Sequence, residues 1–313
     1  MSRAVLLHLG LHRTGSTWLQ QRVFDGRDGR PTPIVPDRAE SARRIVLARE
    51  EDFDADAVRR WLADRLDAVR NVGGVPVLSN ERFSGNPHSG WFDAHRTFDR
   101  LAAVLPEAKV LLVLREQRDL VRSLWLQYVR IGGPASLRDY LRAPEHGDHR
   151  APCFDPSYLR FDRLVESLDR RFGRDRILAI PYDRLRRDPR DFLDRIGAFL
   201  GTPIPTPDRP DERVYASPGF VAASLQRRVN FWCVRSTLHR APPFPSPSLA
   251  RLSGAAASIA ARVASPLLEA SRRRAAAALV DARLAEVPGL RESNAHLAKR
   301  IGEDLGSLGW LMP

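Results

Sequence analysis

The chain has 313 residues, 43% of them hydrophobic, and a formal net charge of +12. Such a composition supports a substantial core, as one large domain or one domain with an appended lobe, and excludes compositional disorder. Cys153 and Cys233 are too few and too isolated for a disulfide framework or a metal cluster. The N-terminus passes straight into an apolar strand without a signal-peptide pattern, and no run of about 18 apolar residues exists to span a bilayer. A cytoplasmic enzyme is the expectation. The charge favours anionic partners: nucleic acid, acidic lipid or a polyanionic cofactor. Lys109 and Lys299 are the only lysines, and many arginines have acidic neighbours, which reads as solvated helix faces.

In chain order, Ala4 to Leu9 is a short β-rich apolar run, followed by Gly10-Leu-His-Arg-Thr-Gly15-Ser-Thr. Trp18, Leu19 and Val23 then recur at helical spacing. A glycine-containing turn between strand and helix leaves free N–H groups at the helix start, to which Ser16 and Thr17 add hydroxyls. By itself the turn fits any nucleotide loop or a structural strand-to-helix connection. Its spacing is nearly that of G-x-x-x-x-G-K-[ST], but Ser16 occupies the lysine place and the basic residue, Arg13, sits inside the loop.

Pro31 to Pro36 reads as a linker, Ala39 to Asn71 as two charged helices, and Val75 to Leu78 as a second buried strand. Glu81 follows that strand, at the edge of the sheet where ligands of open α/β folds bind. Lys109 to Leu114 is the clearest strand. It is closed by Arg115, and an amphipathic helix then runs through Tyr128. A phosphate-loop kinase or ATPase would place an aspartate at such a strand end to hold Mg²⁺, so Arg115 argues against a metal nucleotide. Ala135 to Arg142, Asp155 to Phe172 and Asp188 to Leu200 read as helices, with Ile177 to Ile180 as a strand and Asp188-Pro189 as a helix start. Pro203 to Pro210 is a loop. From Phe220 to Val287 come an aromatic-bearing helix, a proline-rich break and an Ala/Arg-rich helical tract over Leu249 to Leu284. This tract suits a core or oligomer helix, and also admits peripheral membrane contact or a lipid-linked or aryl acceptor. A closing helix begins near Leu290.

The ordered pair of motifs, H-x-G-x-x-R-T-G-S-T from His8 to Thr17 and R-x7-S from Arg115 to Ser123, resembles sulfotransferases that use 3′-phosphoadenosine 5′-phosphosulfate (PAPS). The family's loop is commonly H-x-G-x-x-K-[TS]-G-[TS]-[TS], and this chain keeps every element except that arginine replaces lysine. Weaker likenesses, as to bacterial members, are Ser79-Asn-Glu81-Arg-Phe-Ser-Gly85, Tyr182-Asp-Arg-Leu185, and Glu292-Ser-Asn294 with Gly302-Glu-Asp-Leu305. Arg213-Val-Tyr215-Ala-Ser217 stands where relatives carry R-x-N-x-S, with tyrosine in place of asparagine.

The resemblance implies an α/β fold, a central parallel sheet flanked by helices with a P-loop-like nucleotide site, as one sulfotransferase domain over residues 1–313. Residues 220–287 would then be a variable segment for acceptor binding or oligomerisation. It implies transfer of a sulfuryl group from PAPS to an acceptor hydroxyl or amine, with no metal. Gly10, Arg13, Thr14, Gly15, Ser16 and Thr17 would hold the 5′-phosphosulfate, Arg115 and Ser123 the 3′-phosphate, and Arg213 is a further phosphate candidate. Arg13 would stand for the catalytic lysine. The acceptor's proton calls for a base, with Glu81 first and His12 or His88 as alternatives. Expected acceptors are small-molecule, carbohydrate or lipid-linked. Two other classes remain open: a phosphate-loop kinase or NTPase, and a basic nucleic-acid-binding protein, although no nucleic-acid motif is present.

Overall fold

A computed structural model of the chain describes residues 4–142, 154–208, 219–248, 259 and 265–313. Five parallel strands, β1 (Leu6–Gly10), β2 (Thr32–Pro33), β3 (Pro76–Asn80), β4 (Lys109–Leu114) and β5 (Ile177–Pro181), form one sheet in the order β2-β3-β1-β4-β5. The central strands are continuous apolar runs because both faces of a parallel sheet are covered. Alternation along β4 divides its side chains: Val110, Leu112 and Leu114 join one core, Leu111 and Val113 the other. β1 divides likewise, with Leu7 and Leu9 opposite Leu6.

The helices, in order, are α1 (Ser16–Trp18), α2 (Arg38–Ser41), α3 (Ala55–Asn71), α4 (Ala94–Val104), α5 (Gln117–Arg130), α6 (Leu137–Tyr140), α7 (Phe161–Phe172), α8 (Tyr182–Arg187), α9 (Pro189–Leu200), α10 (Phe220–Cys233), α11 (Pro266–Ala285) and α12 (Leu290–Ile301). α1 and α2 each run on into a π-helix, over Leu19–Val23 and Ala42–Val46. The larger core lies under α3, α4, α5, α7 and α12, and the smaller one under α1 and α9. α10 and α11 join the larger core through Phe220, Ala223, Ala276 and Val280. No described helix is long and apolar enough to cross a membrane.

Several expectations shift. The Pro31–Pro36 stretch contains edge strand β2, where Thr32 N–H donates to the Val75 carbonyl and Ile34 N–H to that of Val77. Pro33 fits there because an edge position does not need its missing N–H. Helix spacing after Gly15 is partly π, which matches Trp18 and Val23 being five apart. The Ala135–Arg142 stretch yields only the single turn α6. The Asp155–Phe172 stretch breaks at Arg160 between a 3₁₀ turn, Pro156–Leu159, and α7. Asp188 caps α9 by accepting from Arg190 and Asp191 N–H, with Pro189 in the first turn. α4 and α8 are additional elements. Of the Leu249–Leu284 tract, 249–258 and 260–264 lie outside the described residues.

Register brings the carboxyl ends of the strands level. Leu9 pairs with Asn80, Gly10 with Val113 and Leu114 with Pro181. The chain leaves β1 to build β3 on one side and later β4 on the other, so the β1 end is a topological switch point.

Candidate active site

Four side-chain groups stand immediately beyond those level strand ends: the Gly10–Thr17 loop after β1, Glu81 after β3, Arg115 after β4 and Tyr182 after β5. The loop is tightly folded. Arg13 and Gly15 take left-handed φ values of 69° and 83°, a conformation that costs an ordinary side chain about 1–2 kcal/mol and must be held by its surroundings. Thr14, fully buried, spends its hydroxyl on the Leu11 carbonyl at 2.6 Å, so that hydroxyl closes the turn. A Cβ on Gly15 would meet Leu185 Cδ2 at 2.9 Å and Tyr182 Cε2 at 3.0 Å. A Cβ on Gly10 would collide with Ser16 Oγ.

The helix that follows has no side-chain cap. The N–H groups of its first turn therefore lack intrahelical and side-chain acceptors, which is the arrangement that receives an anion. Ser16 Oγ is buried beside them with no hydrogen-bond partner among the described residues. Thr17 is half-buried.

The two sequence motifs meet. Arg13 Nε donates to Ser123 Oγ at 2.8 Å, and Arg115 donates to the Arg13 carbonyl at 2.7 Å. The Arg115 guanidinium lies 5.3 Å over the Tyr182 ring and 3.7 Å from Asp119, while its buried Nε has no hydrogen-bond partner among the described residues. Burial, followed by Arg115 and Arg130, lowers the pKa of Arg13 below the ordinary guanidinium value. Burial likewise lowers that of Arg115, against the opposing pull of Asp119. Crowded, desolvated cations gain most from an incoming anion.

On the β3 side, Ser84 Oγ donates to the Gly10 carbonyl at 3.1 Å, tying Glu81's turn to the loop. Arg38 bridges Glu81 Oε1 and Oε2, at 3.1 and 3.3 Å, to Gln20 Oε1 at 2.8 Å. Gln20 donates to Ser79 Oγ at 2.9 Å, and Ser79 Oγ lies 2.7 Å from His8 Nδ1. His8 is therefore a buried link between strands, and burial depresses its pKa to about 3. His12 is held at about 3 by burial and then by the His88, Arg82 and Arg13 charges. Burial and Arg82 hold His88, bonded through Nδ1 to the Tyr140 hydroxyl at 3.0 Å, at about 4. Both His12 Nδ1 and His88 Nε2 are buried without hydrogen-bond partners among the described residues.

Gly10 to Thr17, Glu81, His12, Arg115 and Ser123 thus share one edge of the sheet. Arg213 lies outside the described residues. Arg38, Gln20 and Tyr182 are site components that sequence reasoning missed. Tyr182 carried a usable signal, since it follows β5 directly as Glu81 follows β3 and Arg115 follows β4. Arg38 carried none, because its reach to Glu81 depends on the placement of α2. The far C-terminus braces this edge. Glu303 takes Arg184 of α8 at 2.6 Å and Arg195 of α9 at 2.8 Å, fixing the helix that carries Tyr182.

Comparison with solved structures finds the sulfotransferase of Alicyclobacillus acidocaldarius, 19% identical, covering 73% of this chain and 95% of that one with a TM-score of 0.48. The sulfotransferase domain of the Synechococcus PCC 7002 olefin synthase is 14% identical over 88% and 94% of the two chains, TM-score 0.38. The sulfotransferase domain from the curacin biosynthetic pathway is 15% identical over 82% and 98%, TM-score 0.39. No curated protein matches. The model of the Sulfotransferase family matches residues 6–206, and the chain belongs to that family.

Proposed function

We propose that this transferase uses PAPS as donor and moves its sulfuryl group to a hydroxyl or amine of a small-molecule, carbohydrate or lipid-linked acceptor, releasing adenosine 3′,5′-bisphosphate. The observation that carries the reading is the Arg13 Nε bond to Ser123 Oγ at 2.8 Å. It joins the loop suited to the 5′ end of the donor with the serine suited to its 3′-phosphate, so one cationic surface can meet both anionic groups. The residues fit such a group. The uncapped helix start and the buried, unpartnered Ser16 Oγ suit the 5′-phosphosulfate, and Ser123 with the buried, unpartnered Arg115 Nε suits the 3′-phosphate.

When bound, PAPS supplies the activated sulfuryl group. Arg13 contributes positive charge where negative charge grows on the departing side. Removing one such donor typically costs about 3–4 kcal/mol of transition-state stabilisation. Arginine does so without giving up a proton near neutral pH. Glu81 accepts the acceptor's proton, with Arg38 and Gln20 fixing its orientation. His12, neutral throughout the physiological range because its pKa is about 3, is a poor proton acceptor and serves in contact rather than as the base. The chemistry proposed needs no metal, because Arg13 and Arg115 meet the charge. The reading takes residues 1–313 as one cytoplasmic domain, residues 220–287 as its variable acceptor-side or oligomer segment, and no nucleic acid as partner.

Incubation with labelled PAPS and a panel of carbohydrate, phenolic, lipid and nucleoside acceptors tests the reading, with label expected in one acceptor class. Mg²⁺-dependent ATP turnover without PAPS use would replace it with a kinase or NTPase. Tight, salt-sensitive DNA binding without affinity for adenosine 3′,5′-bisphosphate would replace it with a nucleic-acid-binding role.

A further inference from the structure

A cavity of about 310 Å³ lies between α5, α6, α10 and α11, away from the loop. Ser123 and Trp125 are two residues apart on α5, hence about 200° apart around it, so the face that lines this cavity is turned from the one that meets Arg13. The Trp125 and Phe220 rings stack in its wall, with centroids 5.8 Å apart and planes 15° from parallel. The Trp125 indole N–H is already given to the Ala135 carbonyl at 3.2 Å, so the residue offers the cavity a ring surface and no donor. Leu137 and Leu279 extend the apolar lining.

Three arginines complete it: Arg138, Arg227 and Arg272. Arg138 and Arg272 are exposed and Arg227 half-buried, which sets the charge at the solvent side of an apolar interior. None of the three has a hydrogen-bond or ion-pair partner among the described residues. Among the described residues, no carboxylate lines the cavity. Glu269, on the same helix as Arg272, is engaged elsewhere, accepting Phe220 and Val221 N–H at 2.9 and 3.0 Å and pairing with Arg273 at 3.0 Å. Asp139 is likewise engaged by Ser136 Oγ at 2.5 Å.

We propose that this cavity is a second ligand site, for a small amphipathic anion: an aromatic or short aliphatic body carrying a sulfonate, sulfate, carboxylate or phosphate. The body would cover the Trp125 and Phe220 rings, and the arginines would supply charge-assisted hydrogen bonds to the acidic group. Three unneutralised cations around one cavity repel each other, and an anion removes that repulsion while apolar contact adds its own gain. The volume is at the lower end of small-molecule pockets, which fits a fused bicyclic ring and its acid but not an extended lipid chain. The site does not depend on the identity of the sulfuryl donor.

Calorimetric titration of the full chain with 1-naphthalenesulfonate tests it. Saturable binding at one site per chain is expected, at least about tenfold tighter than binding of the neutral 1-naphthylmethanol. Arg227→Ala and Arg272→Ala should each weaken it by about tenfold, while Arg227→Lys, which keeps the charge, loses less. Ala275→Trp, at an exposed lining position, should block it. Saturating adenosine 3′,5′-bisphosphate should leave it unchanged. The proposal is overturned by absence of saturable binding, by equal affinity for the alcohol, by indifference to both alanine variants, or by displacement with the bisphosphate.

Discussion

Replacing Arg115 by alanine removes two contributions at once, and comparison of two nucleotides separates them. The first is internal. Arg115 loses its bond to the Arg13 carbonyl at 2.7 Å and its position over Tyr182 at 5.3 Å. A hydrogen bond from a charged donor is worth about 1.5–3 kcal/mol. Part is returned, because a desolvated guanidinium beside Arg13 disappears. A net loop cost of about 1.4 kcal/mol follows, which every ligand of the loop shares as a loss of roughly tenfold. The second contribution concerns only a 3′-phosphate. Losing a guanidinium–phosphate contact adds about 3 kcal/mol, or roughly a hundredfold. Calorimetry at fixed ionic strength should therefore show adenosine 5′-monophosphate weakened about tenfold and adenosine 3′,5′-bisphosphate about a thousandfold. Equal losses for the two would refute the assignment of Arg115 to the 3′-phosphate and leave it only a brace for the loop.

Glu81→Gln should lower transfer from labelled PAPS by about a hundredfold or more while donor affinity holds within about twofold; unaltered turnover would move the base elsewhere. Gly15→Ala should cost about 2–3 kcal/mol in urea unfolding, from a φ of 83° and the Leu185 and Tyr182 atoms at 2.9 and 3.0 Å. Gly201→Ala, with a φ of 74° but nothing within 4 Å, should cost only about 1 kcal/mol. Matching losses would show that the Tyr182 and Leu185 contact does not constrain the loop. Burial holds His8 at about 3 and, with Arg82, His88 at about 4, both below the ordinary 6.5. The unfolded chain then takes up these protons first, so their contribution is complete above pH 6.5 and declines as pH falls toward the folded values. At pH 5.5 each should cost about 1.4 kcal/mol, visible as a lower urea midpoint than at pH 7.5; a midpoint independent of pH over that interval would contradict their burial as neutral rings.

What could be read from the sequence was what local spacing encodes. β4 was legible because six consecutive apolar-stemmed residues, Lys109 to Leu114, serve a strand covered on both faces. The α9 start was legible because Asp188-Pro189 is a local capping signal. Edge strand β2 was not, since two residues beside prolines show no periodicity and gain their identity only from bonds to Val75 and Val77. At the site, each motif was legible and their junction was not. The Arg13 to Ser123 bond spans 110 residues and exists because β4 settles against β1, an outcome of sheet order rather than of either motif. Tyr182 was legible only as part of a weaker segment likeness, yet its ring lies against both Arg115 and the Gly15 turn.

That junction also bears on the arginine that stands where the family commonly has lysine. Arg13 is branched, so one nitrogen can hold Ser123 while the planar head still carries charge; lysine has a single ammonium for either task. Arg13→Lys should therefore keep the electrostatic part of catalysis but release Ser123, weakening adenosine 3′,5′-bisphosphate by about tenfold while turnover stays within about tenfold. Arg13→Ala should lose about a hundredfold or more in turnover. The pH profile distinguishes charge from geometry. Burial, Arg115 and Arg130 push the group at this position downward, and lysine starts from about 10.4, so the Lys variant should acquire an alkaline limb in turnover between about pH 8 and 10. The wild-type chain, beginning two units higher, should stay flat over that range. An alkaline limb shared by both would trace to another group, and full turnover in Arg13→Ala would remove the loop cation from the mechanism.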